Sequence, residues 1–391
     1  MMNANDDKTT DMSSKIKHIV LSTAVNVSRM IMAATLLFSG FVKANDPMGT
    51  VFKLQDYMSA WGMTSMPEVV MLIAALFMVL IEFGLGVYLL FGMRRRIVSV
   101  VTLLFMTLMT LFTVYIAIYN PVSDCGCFGD AIILTNTQTL LKNILLLACA
   151  FMVFRWYKLQ MPLISRQIYW IVSTLAMLAI ISFAVYCIYS QPFIDFRPYK
   201  IGSDLRQKAT VPASQRPQFE VTIIYERNGE TLELGIDDDD PDDSWTYVET
   251  RRKQLKQADI DIINDFYMQD ADGEDLATDI LEADGYTLLL TAPDLLSADQ
   301  SIMGLINDIY DYASEAGVNF VALTPSTEEA RSRWIDYTGA EYSFLTADER
   351  TLKTMVRGNP GLMLLHDGVV KAKWSNWNFP TTEQLTEIIT K

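Results

Sequence analysis

Five long apolar stretches fill the first half of the chain, at residues 19–42, 69–93, 97–119, 136–154 and 167–190. A helix that crosses a bilayer needs about 20 such residues, because every backbone amide in lipid must find its partner inside its own helix. The third and fifth stretches hold no charge, while the first holds Arg29, the second Glu82 and the fourth Lys142. The fourth has the weakest pattern, since its opening residues mix polar and apolar types. The first stretch is too long for a cleaved signal, follows an acidic start at Asp6, Asp7 and Asp11, and has no small-residue cleavage site. It is expected to be retained as a span.

Beyond residue 190 the period changes. Pro192, Pro198, Pro212 and Pro217 mark an extended linker over 191–218, since each proline fixes φ and lacks a donor. Residues 219–225 and 231–236 read as strands joined by an Asn228-Gly229 hairpin turn, within a β-rich segment at 219–284. Residues 237–243 form an acidic run, expected to be a solvated loop with a cation site as the lesser reading. Asp270-Ala-Asp272-Gly273 has the wrong offset for a calcium loop, because Met268 would fall at the first ligand position, and it reads as a turn. From residue 285 strands and helices alternate: strand 286–291, helix 299–316, strand 318–323, helix 326–337, strand 342–345 and helix 348–356. A hairpin over 362–366 and 369–374 and a helix at 382–389 close the chain. This is the element order of a thioredoxin-like α/β domain over 285–391.

The averages hide this division. The 391 residues are 51% apolar and carry a net charge of −15, yet residues 1–196 sum to +3 and residues 197–391 to −18. So acidic a second half argues against nucleic-acid binding, which needs a basic face. Basic residues in short loops orient the spans. Lys8, Lys15 and Lys17, Arg94–Arg96, and Arg155, Lys158 and Arg166 all fall at one end of the bundle, and only Lys43 and Lys53 at the other. The expected topology is therefore a cytoplasmic tail at 1–18, a membrane domain at 19–190 in the cytoplasmic membrane, and an extracytoplasmic C-terminal half. Arg197, Lys200, Arg206 and Lys208 vote the other way, but they lead into a long domain, where the rule weakens.

Four cysteines occur, at 125, 127, 149 and 187. Cys125-Gly126-Cys127 lies between the third and fourth spans, on the outer side by this topology, where disulfides persist. Two cysteines one residue apart close a tight ring. Gly126 can supply the unusual dihedrals, and a strained disulfide is a better oxidant than a relaxed one. Cys125 and Cys127 are the candidate catalytic pair. Cys187 lies about 5 Å from the outer end of its span and is a candidate relay, or else a packing residue; Cys149 lies about 20 Å deep and reads as packing. Two other readings of the loop stay open. One is a structural disulfide or two free thiols. The other is a metal held by Cys125, Cys127, Cys187 and Asp124, with His18 expected inside and His366 in the outer domain. No metal is expected.

Arg29 and Glu82 lie at similar estimated depths, roughly 15 Å from the inner surface, and each would be costly in lipid alone. They are expected to form an intramembrane ion pair, as bundle glue or as the floor of a proton or quinone site.

The stretch Leu37-Phe-Ser-Gly-Phe-Val-Lys43-Ala-Asn-Asp-Pro47, the loop Cys125-Gly-Cys-Phe-Gly129, and the charges at Arg29 and Glu82 resemble the MauE/DoxX group of redox-associated membrane proteins over about residues 19–155. That resemblance implies a four-helix membrane core and envelope thiol–disulfide chemistry, with a quinone as a conceivable cofactor. It does not imply methylamine as a substrate. In the outer domain Arg357-Gly-Asn-Pro360-Gly resembles the cis-proline site of thioredoxin-like folds, but residues 291–298 hold no Cys-x-x-Cys pair and no cysteine follows residue 187. The expected fold is thus a five-span α-helical bundle followed by a soluble thioredoxin-like domain without its dithiol. The expected function is thiol–disulfide exchange, as an oxidoreductase or accessory subunit, with an envelope client or redox partner. The rival is a non-catalytic membrane anchor with a structural Cys-Gly-Cys loop and a binding module.

Overall fold

The computed structural model describes residues 4–63, 66–122, 125–209, 218–227, 230–235, 245–256 and 266–390. Asp124, the Asn228-Gly229 turn and the acidic run at 237–243 lie outside the described residues. The chain divides into two compact units, Met1–Arg197 and Pro198–Lys391.

Unit 1 is helical. Its helices are α1 (Ala4–Asn45), α2 (Pro47–Ala60), α3 (Glu68–Phe91), α4 (Arg95–Tyr119), α5 (Asn136–Arg155) and α6 (Tyr169–Tyr189). Among the described residues, five stretches are long and apolar enough to cross a membrane: Lys15–Asn45, Glu68–Phe91, Arg95–Tyr119, Asn136–Arg155 and Arg166–Tyr189. They coincide with the five apolar runs of the sequence to within a few residues. Met32, Ala33 and Leu36 from α1, Leu89 from α3, Val98 and Met106 from α4, and Leu146, Ala150 and Val153 from α5 form one buried cluster, so these four helices make the core. α6 packs outside it, with Ile180 and Ala184 against Val79 of α3 and Ala44 of α1.

Glycine sets the contact between α1 and α3. A Cβ on Gly40 would lie 2.7 Å from the Phe83 amide nitrogen, and one on Gly86 would lie 2.8 Å from the Leu37 nitrogen. Small residues let membrane helices approach to backbone contact, where dispersion replaces the missing hydrophobic drive. Polar seams add to this. Asn143 of α5 donates to Thr113 Oγ1 of α4 at 3.3 Å.

This register overturns the expected Arg29–Glu82 pair. With Gly40 opposite Phe83 and Leu37 opposite Gly86, Glu82 stands beside the last turn of α1, where Lys43 lies 2.7 Å from its Oε2. Arg29 is fourteen residues earlier than Lys43, about 21 Å along the helix. Its guanidinium lies against Gly92 and donates to the Met161 carbonyl. The expectation placed residue 19 and the end of the second span at one level. α1 instead runs unbroken from Ala4, so the edge of its apolar run does not mark its level against α3.

α2 has no counterpart among the expected elements. It begins where Asp46 caps the Gly49 amide at 2.9 Å and Pro47 takes the first helical position, which needs no donor. Its Val51 packs against Met71 and Ala75 of α3.

The described residues of unit 2 form two sheets. β1 (Gln218–Arg227), β2 (Glu230–Gly235) and β3 (Thr246–Lys256) form an antiparallel sheet in the order β2-β1-β3. β3 also lacks a counterpart in the sequence reading, because its run of charged and polar residues hides the alternation. The second sheet contains β4 (Tyr286–Thr291), β5 (Asn319–Thr324), β6 (Phe344–Thr346), β7 (Gly361–His366) and β8 (Val369–Ser375), in the order β6-β5-β4-β7-β8. β4 pairs parallel with β5 and antiparallel with β7. Alternate residues of β4 face opposite cores: Leu288 and Leu290 pack with Ile306 and Ile309, while Leu289 packs with Leu281, Leu352 and Met355. The helices that cover the two faces are α7 (Leu205–Ala209), α8 (Ala277–Glu282), α9 (Met303–Ala316), α10 (Glu328–Thr338), α11 (Glu349–Met355) and α12 (Thr382–Ile389). Unit 2 is a mixed five-stranded α/β domain with a small added sheet. The Asn359–Pro360 peptide, just before β7, is cis. Asp270 closes a plain turn, its Oδ1 accepting from the amides of Asp272 and Glu274.

Candidate functional site

At the end of the bundle opposite Arg94–Arg96, the loop between α4 and α5 folds back over the last turn of α1. Gly126 and Gly129 both take positive φ, +67° and +50°, which L side chains rarely adopt. A Cβ at Gly126 would also lie 2.8 Å from Lys53 Cγ of α2. Glycine at 126 therefore meets two demands at once, a left-handed turn and a close neighbour. The turn brings the Cys125 and Cys127 Sγ atoms to 2.9 Å as free thiols. Both line a cavity of about 180 Å³ together with Lys43, Lys53, Tyr57 and Glu82.

The cavity wall under Cys127 is a buried polar network. Lys43 Nζ donates to Glu82 Oε2 at 2.7 Å, to Ser39 Oγ at 2.8 Å and to the Cys127 carbonyl at 2.9 Å, satisfying all three of its protons. Ser39 Oγ in turn lies 2.6 Å from Glu82 Oε2. Ser39 and Lys43 are four residues apart, hence on one face of α1. Tyr57 of α2 donates to the Cys125 carbonyl at 3.1 Å. The loop is thus held from two sides through its backbone, by Lys43 at the Cys127 carbonyl and by Tyr57 at the Cys125 carbonyl. Lys142 of α5 stands over the Phe128 ring at 4.1 Å, and Phe128 meets Phe38 edge to face.

These surroundings separate the two thiols. The hydrogen bond from Cys125, with the positive charges of Lys142 and Lys43, holds the Cys127 thiol down at about 6, against burial and the Glu82 charge. The same hydrogen bond, followed by burial, pushes Cys125 up. Of the two sulfurs the more acidic is Cys127, the one that feels both lysine charges. A thiolate at neutral pH is the nucleophilic form of cysteine.

Cys187 is buried in α6 and is not among the residues that line the cavity. Its polar neighbour is the Phe193 backbone. Cys149 packs on the four-helix core. Among the described residues no group of three His, Cys, Asp or Glu side chains gathers in ligating distance, and His366 belongs to β7 of unit 2. Lys43, Ser39, Tyr57 and Lys142 escaped the sequence reading as site residues. For Lys43 a signal existed, since it follows Ser39 by one helical turn in a stretch already marked by resemblance. For α2 the Asp46-Pro47 start was such a signal.

The exit from α6 is pinned to the same region. Asn45 donates to the Ile194 carbonyl at 2.7 Å and accepts from the Ile194 amide at 2.9 Å. Arg197, 2% exposed, makes a two-pronged pair with Asp195 at 2.7 and 2.9 Å.

No curated protein matches the chain. The family model described as methylamine utilisation protein MauE matches residues 21–155. The matched stretch contains α1 from residue 21 onward, all of α2 to α5, and the Cys-Gly-Cys loop. The membrane-spanning stretch that carries the Cys-Gly-Cys loop is thus similar to MauE over residues 21–155.

Proposed function

We propose that unit 1 carries out thiol–disulfide exchange with a protein partner through Cys125 and Cys127. The observation that carries this reading is the pair of free thiols lining one cavity, with the more acidic sulfur under the charge of two lysines. In the reducing direction, the Cys127 thiolate attacks a partner disulfide. A Cys127–partner disulfide forms, and one partner sulfur leaves as a thiolate. Cys125 then loses its proton and attacks the Cys127 sulfur. The Cys125–Cys127 disulfide forms and the second partner thiolate departs, so two electrons pass to the partner and the loop is oxidised. Run backwards, the loop disulfide oxidises a partner dithiol. The sign of the potential difference sets the direction.

The basic residues at the opposite end of the bundle support a cytoplasmic N-terminus and an extracytoplasmic loop, in the compartment where disulfides endure. The strand order of the larger sheet supports a thioredoxin-like reading of the five-stranded domain. Lacking cysteine, that domain serves to hold the partner.

Trapping tests this. Cys125→Ala leaves the attacking thiol without its resolving partner, and a disulfide-linked species should accumulate in membranes treated with an alkylating agent. Cys127→Ala should accumulate little. Equal absence from both variants, together with a wild-type loop whose alkylation state is unmoved by a reductant pulse, overturns the exchange.

A further inference from the structure

The other end of the bundle holds a second concavity, with no part in thiol chemistry. It is an open groove of about 1370 Å³ between the start of α4, the connection from α5 to α6 and the start of α6. Five cations line it: Arg94, Arg95, Arg96, Lys158 and Arg166, and no carboxylate is among the lining residues. Arg95 is tied to the wall, its Nη1 donating to the Gln160 and Lys158 carbonyls. Behind the floor at Gly92 and Pro162 sits a sixth cation, Arg29, 2% exposed, with its Nε lacking any hydrogen-bond partner. So many positive groups around one space repel one another unless an anion enters.

The groove is not only basic. Ile97, Val100 and Trp170 line it and are 59%, 47% and 69% exposed. Ile97 and Val100 lie in the first turns of α4, so an apolar strip runs from the arginines down the spanning helix. Tyr157, Tyr169 and Trp170 place aromatic rings at the level of the span ends, where such rings settle in the headgroup region. A free phosphate would neutralise the cations and leave that strip bare. An amphiphile with a phosphate head and acyl tails covers both.

We propose that this groove binds one anionic phospholipid, its phosphate among Arg94, Arg96 and Arg166 and its acyl chains along Ile97, Val100 and Trp170. The site does not rest on the thiol–disulfide reading. It differs from the general attraction of a basic rim for an acidic leaflet in being saturable and local.

Native mass spectrometry of the full chain, titrated with phosphatidylglycerol or with phosphatidylcholine of the same acyl chains, decides between them. The wild type should retain one phosphatidylglycerol under activation that strips phosphatidylcholine. Arg96→Gln should weaken retention roughly fivefold, and Arg94→Gln/Arg96→Gln/Arg166→Gln roughly a hundredfold, as each basic residue near a lipid surface contributes about one such factor. Lys17→Gln/Arg155→Gln removes two cations from the same end but outside the groove, and should stay within about twofold. Equal retention of phosphatidylcholine, an equal loss in the control pair, or displacement of the lipid by equimolar inorganic phosphate overturns the proposal. Should the triple variant not fold, the single Arg96→Gln variant carries the test, and retention equal to wild type there overturns the proposal too.

Discussion

Cys125 and Cys127 differ by one position in the chain but by a large margin in acidity, and that difference is a matter of neighbours. Cys127 receives a hydrogen bond from Cys125 and faces Lys142 and Lys43. In the reduced protein its alkylation by iodoacetamide should rise with pH through a midpoint near 6. Removing the donor in Cys125→Ala should move that midpoint upward, since the thiolate then loses its largest stabilisation; an unmoved midpoint would show that the hydrogen bond does not set the acidity. Glu82 and Lys43 supply a second test. Removing one partner of a buried pair leaves an uncompensated charge and costs on the order of 3–5 kcal/mol, whereas replacing both with apolar residues is often close to neutral. Glu82→Gln and Lys43→Met should each lower the level of inserted protein, and Lys43→Met/Glu82→Leu should recover most of it, as read by quantitative immunoblot of membranes. Equal loss in all three would dissolve the pairing. Arg29 shows the limit of the sequence at this scale. Residue type and position along the chain identified both buried charges, but only the register of α1 on α3 chose their partners.

Elements were the most legible level. The apolar runs located all five spans because the bilayer fixes both their length and their composition. The alternating pattern after residue 285 located the strands of the larger sheet within a few residues, because its central strands are buried on both faces and read as near-continuous apolar runs. β3 and α2 were not legible, one because charged and polar residues interrupt its alternation, the other because a short helix of mixed polarity resembles a loop. The glycines of the helical elements make a prediction of their own. Gly40→Ala would set a Cβ against the Phe83 backbone at 2.7 Å, whereas Gly84→Ala meets only the flexible end of Met177 at 3.4 Å. Overpacking of this kind costs about 1–3 kcal/mol. Gly40→Ala should lower the thermal midpoint of the detergent-solubilised protein by several degrees while Gly84→Ala leaves it near wild type. Similar effects at both positions would contradict the close α1–α3 contact.

For the whole molecule, the charge division is the strongest sequence statement. The net +3 of residues 1–196 and −18 of residues 197–391 agree with the structural division at Arg197 and Pro198. The proposed topology rests on the same charges, as basic residues gather at one end of the helical unit. A reporter that works only outside the cytoplasm, fused after Lys391, should be active; activity of a cytoplasm-only reporter at that position would invert the orientation and put the cysteine loop in a reducing compartment. Function at this scale is the least legible. The net charge of the second half names no partner.

Length, apolar runs, charge bias and cysteine spacing by themselves determined a five-span helical unit, an acidic α/β unit and a Cys-Gly-Cys loop at the end of the bundle opposite the arginines. These are properties of segments, and the solvent that surrounds a segment is enough to dictate them. Which groups meet was decided only by the tertiary structure: Lys43 and not Arg29 at Glu82, Tyr57 and Lys53 beside the loop, five cations around one groove. Those meetings depend on how far one helix slides along another, and two glycines that permit backbone contact set that distance in three dimensions without leaving a periodic trace along the chain.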